Sequence, residues 1–286
     1  YATLAADQQL LAVSRDTLAS AERTLTLTRA LNGVGLSGKL DVHQAETIVE
    51  QARSDVAAGV TQVAQDRNAI ALLAGAPVED ALLPVSLGAL IGSTARAPAG
   101  LSSDVLLQRP DVLQAEHQLQ AANADIGAAR AAMFPKISLT AAIGVASSTL
   151  SSLFSGGAFS WTAAPSASLP IFGGGVRGNI QYSKAQRDAA LASYEGAIQS
   201  AFREVADALA RAGTIGEQQR AQRALVVSNE QAYALSEQRY RAGIDPFLTT
   251  LVNQRSLYSA RRSAIATDLE LLQNRIALYR AIGADF

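Results

Sequence analysis

The sequence predicts a mainly α-helical protein with a small β part, in which long helices of coiled-coil type flank a single β-hairpin along the chain. Three observations carry that expectation. A seven-residue apolar period runs through two separate arms, an internal repeat relates those arms, and one stretch of 40 residues without a charge alternates like a pair of strands.

The bulk composition narrows the classes. With 286 residues, 49% hydrophobic and 17% charged, the chain can bury a sizeable core, and disorder is excluded. The apolar share is largely alanine, aromatics make up 5%, and lysine occurs only at Lys39, Lys136 and Lys184, so nearly all basic residues are arginine. Such a composition favours long helices packed at small residues. The net charge of −1 and pI near 6.2 give no basic surface for nucleic acid and no polybasic run for anionic lipid. The absence of cysteine removes disulfides, thiolate metal sites and thiol nucleophiles. No run reaches about 18 apolar residues, the length a membrane helix needs. The start at Tyr1, without a methionine or a signal-peptide pattern, reads as a cut inside a longer protein.

The repeat emerges at a fixed offset of 208 without a gap. Gly35 falls on Gly243, Leu40 on Leu248, Ala52 on Ala260, Ile70 on Leu278, and Gly75-Ala76 on Gly283-Ala284. Each copy reads as helix, short glycine turn, helix and glycine stop. In the second arm of each copy the apolar period is seven: Val42, Val49, Val56, Val63 and Ile70, then Leu251, Tyr258, Ile265, Leu272 and Tyr279. A sustained period of seven means helices coiling about neighbours. From about Val176 to Arg241 the composition stays helical without a proline, enough for a helix of roughly 100 Å.

Residues 137–176 contain no Asp, Glu, Lys or Arg and are too interrupted by Gly, Ser and Pro for a membrane helix. Ile137, Leu139, Ala141, Ile143 and Val145 share one parity, opposite Ser138, Thr140, Ala142 and Gly144. After a Ser/Gly-rich turn, Phe159, Trp161, Ala163, Pro165, Ala167 and Leu169 alternate with small and polar residues. Two strands of this length suit a hairpin crossing an outer membrane, with Ile137, Leu139, Ile143, Val145, Phe159, Trp161 and Leu169 toward lipid and Trp161 in an interfacial girdle. A half-buried hairpin in a soluble domain is the other reading of the same pattern. The absence of charge and the long flanking helices favour the membrane.

Residues 77–110 hold Pro77, Pro84, Pro98 and Pro110 and read as an irregular linker at the waist, with Pro110 opening a helix and Asp111 at its N-terminus. Gly213 and Gly216 mark an expected change of course in the long helix. Arg203-Glu204, Asp207-Arg211 and Glu237-Arg241 read as surface pairs on it.

Arg109-Pro110-Asp111, Ala115-Glu116, Ala121-Ala122, Ile126-Gly127-Ala128-Ala129-Arg130 and Phe134-Pro135-Lys136-Ile137-Ser138-Leu139 together resemble the TolC-like outer-membrane factor family, NodT subgroup. Leu169 to Gly175, Asp188 to Ala192, Tyr194-Glu195 and Ala201 to Leu209 continue the resemblance, and Gly35 to Glu46 and Tyr240 to Leu257 resemble the family's two periplasmic turns. The resemblance implies a homotrimeric duct in the outer membrane of a Gram-negative bacterium, extending into the periplasm as an α-barrel below a twelve-stranded β-barrel with four strands per protomer. It further implies a periplasmic adaptor protein and an inner-membrane pump as partners, with outer-membrane lipid around the hairpin, no nucleic acid, no cofactor and no reaction catalysed. The domains become 1–76, a first-repeat periplasmic helical hairpin; 77–110, an equatorial linker; 111–135, a helix of the second repeat; 136–172, the membrane hairpin; and 173–286, long helices with a turn at 242–248. By the repeat offset, the counterpart of Asp111–Leu209 is expected upstream, roughly 100 residues of it. A soluble coiled-coil scaffold or periplasmic adaptor without a channel is the alternative.

The family often narrows its periplasmic end with aspartates just after the second-copy turn. Here Thr249 and Val252 occupy those positions, while Asp245 and Asp41 remain in the two turns. The expected tip therefore comprises Gly35, Asp41, Gly243, Asp245, Pro246, Phe247, Leu248, Thr249, Leu251 and Val252, closed by packing of Phe247, Leu248 and Leu251 instead of a strong acidic ring. The rival signals are weaker. Gly33-Val34-Gly35-Leu36-Ser37-Gly38-Lys39 mimics a phosphate loop, but Leu40 replaces the required Ser/Thr and a helix precedes it. His43 and His117 lie on different predicted helices without ligand-spaced carboxylates, and no serine sits in a nucleophile elbow.

Overall fold

In the computed structural model the described residues are 1–95, 100, 102–154, 156–169, 171 and 174–282. Pro98, Pro170, Phe172, Gly173, Gly283 and Ala284, all used in the reading above, lie outside them. Helices α1 (Ala2–Gly33), α2 (Lys39–Ala74), α3 (Leu87–Ser93), α4 (Pro110–Ala131), α5 (Gly174–Arg241) and α6 (Phe247–Ala281) enclose the strands β1 (Lys136–Val145) and β2 (Phe159–Ser168) in sequence. The chain divides into unit 1, residues 1–101 with 203–286, and unit 2, residues 102–202, the division falling within α5.

Unit 1 packs α1, α2, α6 and the second part of α5 through two apolar clusters. One joins Ala21, Leu25, Ala45, Val49, Tyr240, Phe247 and Leu251; the other joins Ala5, Ala6, Leu87 and Leu272. Alanine and glycine bring the backbones close: a Cβ at Gly59 would lie 3.2 Å from Leu11 Cδ1. The seven-residue series predicted from sequence is buried or half-buried throughout both arms. Polar links tie the helices as well, with Tyr240 Oη donating to Thr28 Oγ1 at 3.1 Å and Arg261 donating to Glu230 at 2.7 Å. Arg211 reaches across to Glu270 at 2.7 Å instead of staying with Asp207 on its own helix, whereas Arg241 keeps the expected partner Glu237.

Within the linker, Leu87–Ser93 form α3, which the sequence did not announce; it is capped where Ser86 Oγ accepts from Ala89 N at 3.2 Å, and Leu87 is fully buried against α1 and α6. Tertiary burial supplied what a seven-residue helix lacks in intrinsic stability. α5 runs unbroken for 68 residues through Gly213 and Gly216.

In unit 2, α4 opens at Pro110 in its first turn, as expected. Arg109, only 6% exposed, grips Asp111 with a two-pronged guanidinium contact at 3.0 and 2.7 Å. That contact holds the Asp111 carboxyl below the usual aspartate range. β1 and β2 form a two-stranded antiparallel sheet.

Burial, together with hydrogen bonding and repulsion from the Asp66 carboxyl, pushes Asp7 up to about 6. Across the window from the ordinary 3.8 to about 6, the folded state then binds more protons than the unfolded state, so this pair weakens the fold as pH rises. Asp7→Asn is therefore expected to raise the melting temperature near pH 7 and to flatten its fall between pH 4 and 6, as read by circular dichroism.

Candidate functional site

Two places concentrate function-bearing chemistry, and each belongs to one unit. The first is the pair of turns in unit 1. Their local conformation follows from glycine at the helix C-terminus, where only a residue without Cβ enters the left-handed region freely. Gly35 has φ +77° and Gly243 φ +70°. Gly35 N donates to Asn32 O at 3.0 Å and Leu36 N to Leu31 O at 2.9 Å; Gly243 N donates to Tyr240 O and Ile244 N to Arg239 O, both at 2.9 Å. Donors and acceptors in the two copies differ by the same 208 positions, so the repeat holds to the level of single hydrogen bonds. Leu31 and Val42 beside the first turn pack on the cluster containing Tyr240 and Phe247 beside the second, which brings both turns to one end of the unit.

The carboxylates differ between copies. Asp41 caps α2, accepting from Gly38 N at 3.1 Å and from Ser37 Oγ at 2.7 Å. Asp245 accepts both prongs of Arg239, at 2.6 and 2.8 Å, and the guanidinium holds its carboxyl below the usual range. Each turn thus engages its own acid. The phosphate-loop lookalike is the first of these turns: α1 precedes it, so its amides close a helix end and do not converge as a strand-borne phosphate loop requires. His43 bonds Glu46 and His117 bonds Gln120 on exposed helix faces, and no metal-ligating group of three occurs among the described residues.

Of the three apolar side chains expected at the tip, two lie inside the protomer. Phe247 is 2% exposed, packed against Tyr240 with the rings tilted and their centroids 5.3 Å apart, and Leu251 is buried in the same cluster. Both belong to the interior because they fall on the heptad face of α6 that meets α1 and α2. Leu248, 55% exposed, joins Thr249 and Val252 on the outward face, with Pro246 exposed and Asp245 partly so. Sequence reasoning missed Arg239 and Tyr240, whose partners lie in the turn and on α1; an arginine six residues before Asp245 is the signal that could have found the first.

The second place is the hairpin. The register pairs Ile137 with Ala167, Leu139 with Pro165, Ala141 with Ala163, Ile143 with Trp161 and Val145 with Phe159, so the apolar parity of both strands shares one face. The other face pairs Ser138 with Ser166, whose hydroxyls meet at 2.8 Å, and Gly144 with Ser160. All 20 strand residues are exposed, Trp161 at 69%, and among the described residues the sheet has two strands. Leu169 is exposed just past β2. At about 3.3 Å per residue and a tilt near 45°, ten residues rise about 23 Å, close to the apolar band of an outer-membrane barrel.

Gly35→Ala and Gly243→Ala are each expected to lower stability by about 1–2 kcal/mol in urea titrations, the cost of a left-handed residue with a Cβ. Arg239→Ala, at an exposed ion pair, is expected to cost no more than about 1 kcal/mol.

Comparison with known proteins places these features. The profile of the family described as Outer membrane efflux protein matches residues 1–76 and 101–284. The chain is 45% identical over 278 residues to the solvent efflux pump outer membrane protein SrpC of Pseudomonas putida, covering 97% of this chain and 59% of that protein. It is 41% identical over 274 residues to the outer membrane protein OprJ of Pseudomonas aeruginosa, covering 96% and 57%. Its fold superposes on the MtrE outer membrane channel of Neisseria gonorrhoeae, solved in its open state, with a TM-score of 0.75 at 36% identity, covering 99% of this chain and 65% of that one. The chain thus spans somewhat under two thirds of the relatives it matches. With the family profile matched over residues 1–76 and 101–284, along both units, the chain belongs to the outer membrane efflux protein family.

Proposed function

We propose that this chain forms part of a passive exit duct of a tripartite efflux system. Three copies of the complete protein assemble with the hairpin in the lipid of the outer membrane and the long helices in the periplasm. A periplasmic adaptor and an inner-membrane pump engage the duct, and the pump supplies the energy, so the duct itself carries out no chemical step. The observation that carries this reading is the hairpin: 20 strand residues exposed on both faces, one face apolar, with no ionic side chain beyond Lys136 at its foot. A two-stranded sheet with two free edges is marginal alone, and pairing into a closed barrel satisfies its edges. The small polar opposite face suits a water-filled lumen.

Within that duct, Leu248, Thr249 and Val252, exposed on α6 just past the second turn, are placed to line the periplasmic opening. None carries a charge, and Asp245 is already matched by Arg239. The opening accordingly discriminates by size and wetting more than by an acidic ring.

In planar bilayers the complete protein, purified as a detergent-stable trimer, is expected to give discrete conductance steps. Ile143→Lys is expected to weaken membrane insertion by about 2–4 kcal/mol and to abolish most channel events. Leu248→Ala should change unitary conductance more than Asp245→Asn. Leu251→Ala should act instead on stability, by about 2–5 kcal/mol, because its side chain lies inside the protomer. A monodisperse, detergent-independent monomer without conductance would reject the duct.

A further inference from the structure

Away from the turns and the hairpin, unit 1 contains a polar groove of about 290 Å³ between α1, α2 and α6. Its wall carries an excess of unused hydrogen-bond donors. Gln254 is only 5% exposed, and its Nε2 is buried without a hydrogen-bond partner. Buried amide groups are nearly always paired, so an open donor on the wall of a cavity calls for an acceptor inside it. Arg255 and Arg262 line the same groove, and neither has a carboxylate in ion-pair range among the described residues. Arg261 beside them on α6, and Arg239 and Arg241 on α5, are each paired. Arg262 lies over the Tyr258 ring, 5.5 Å from its centroid, which orients the guanidinium without neutralising it.

The groove's carboxylate, Asp55, does not answer this demand. It accepts from Tyr258 Oη at 2.8 Å and from Gln51 Nε2 at 3.0 Å, and the same tyrosine hydroxyl meets Ser14 Oγ at 3.1 Å. These bonds hold Asp55 beside Tyr258 and Gln51, outside ion-pair range of any guanidinium among the described residues, while α6 presents two guanidinium groups and an amide. Ile48, Ala52 and the Tyr258 ring add apolar surface.

We infer that this groove binds a small organic anion, whose carboxylate or similar oxyanion is held by Gln254 Nε2 with Arg255 and Arg262 while its hydrocarbon part rests on Ile48, Ala52 and Tyr258. Guanidinium forks match planar oxyanions, and a cavity of this size suits a ligand of modest bulk. Its test needs neither a membrane potential nor a partner protein.

Titration calorimetry of the detergent-solubilised complete protein provides the test, with sodium benzoate, neutral benzamide and benzylammonium as probes. Benzoate should saturate at one per chain and bind at least tenfold more tightly than benzamide, while benzylammonium should show no saturable binding. Gln254→Glu, which keeps the shape and adds a like charge, and Arg255→Gln at the exposed rim should each weaken benzoate at least tenfold, with helicity checked by circular dichroism. Arg223→Gln, remote on α5 and paired with Asp268, should leave it unchanged. If Gln254→Glu fails to fold, Arg255→Gln decides. Equal binding of benzamide, preference for benzylammonium, undiminished binding by Arg255→Gln, or no saturable benzoate binding because water alone fills the groove would each overturn the assignment.

Discussion

Water is a poor solvent for the surface this hairpin presents, and the rest of the architecture is arranged around that fact. Ile137, Leu139, Ile143, Val145, Phe159 and Trp161 stand on one face, all exposed, with no charge among them to keep the sheet soluble. Burying a large apolar side chain is worth roughly 1.5–3 kcal/mol, so six of them represent on the order of 10 kcal/mol. That is comparable to the whole net stability of an ordinary domain. Acyl chains on one side and a polar lumen on the other satisfy both faces at once, and closure into a barrel satisfies the strand edges.

The helices solve a different problem. Long rods with few aromatics cannot rely on bulky cores, so they pack through alanine and glycine, as where Gly59 admits Leu11 and where Ala5 and Ala6 meet Leu87 and Leu272. Specificity comes from polar links between rods, including Tyr240 with Thr28 and Tyr258 with Asp55 and Ser14. The two turns show how one backbone solution accepts different side-chain chemistry. Both close with a left-handed glycine and the same pair of hydrogen bonds, yet one uses aspartate as a helix cap and the other as half of an ion pair. The repeat keeps the backbone geometry, which glycine favours, while the acids beside the two turns stand at different positions, Asp41 matching Thr249 and Asp245 matching Ser37 at the repeat offset.

Much of this was legible in the residues. Parity alone assigned every apolar position of the hairpin to its face, because a strand's period of two leaves no ambiguity once both arms alternate. The repeat offset anticipated both turns, and α5 begins within two residues of the expected start near Val176. What escaped depends on partners distant in sequence. α3 exists because Leu87 finds α1 and α6, which no local pattern announces. Phe247 and Leu251 read as tip residues by their place beside the turn, but the phase of α6 turns them inward onto Tyr240 and Leu25. No local pattern singles out Gln254, whose burial depends on the helices packed around it.

The exposed apolar face turned toward acyl chains is the claim on which the account stands, and site-directed spin labels test it most directly. In the complete protein reconstituted into phospholipid bilayers, a label at Ile143 should be relaxed by oxygen and shielded from a water-soluble nickel chelate, while a label at the neighbouring Ala142 should show the reverse. Equal access of the chelate to both positions would contradict it.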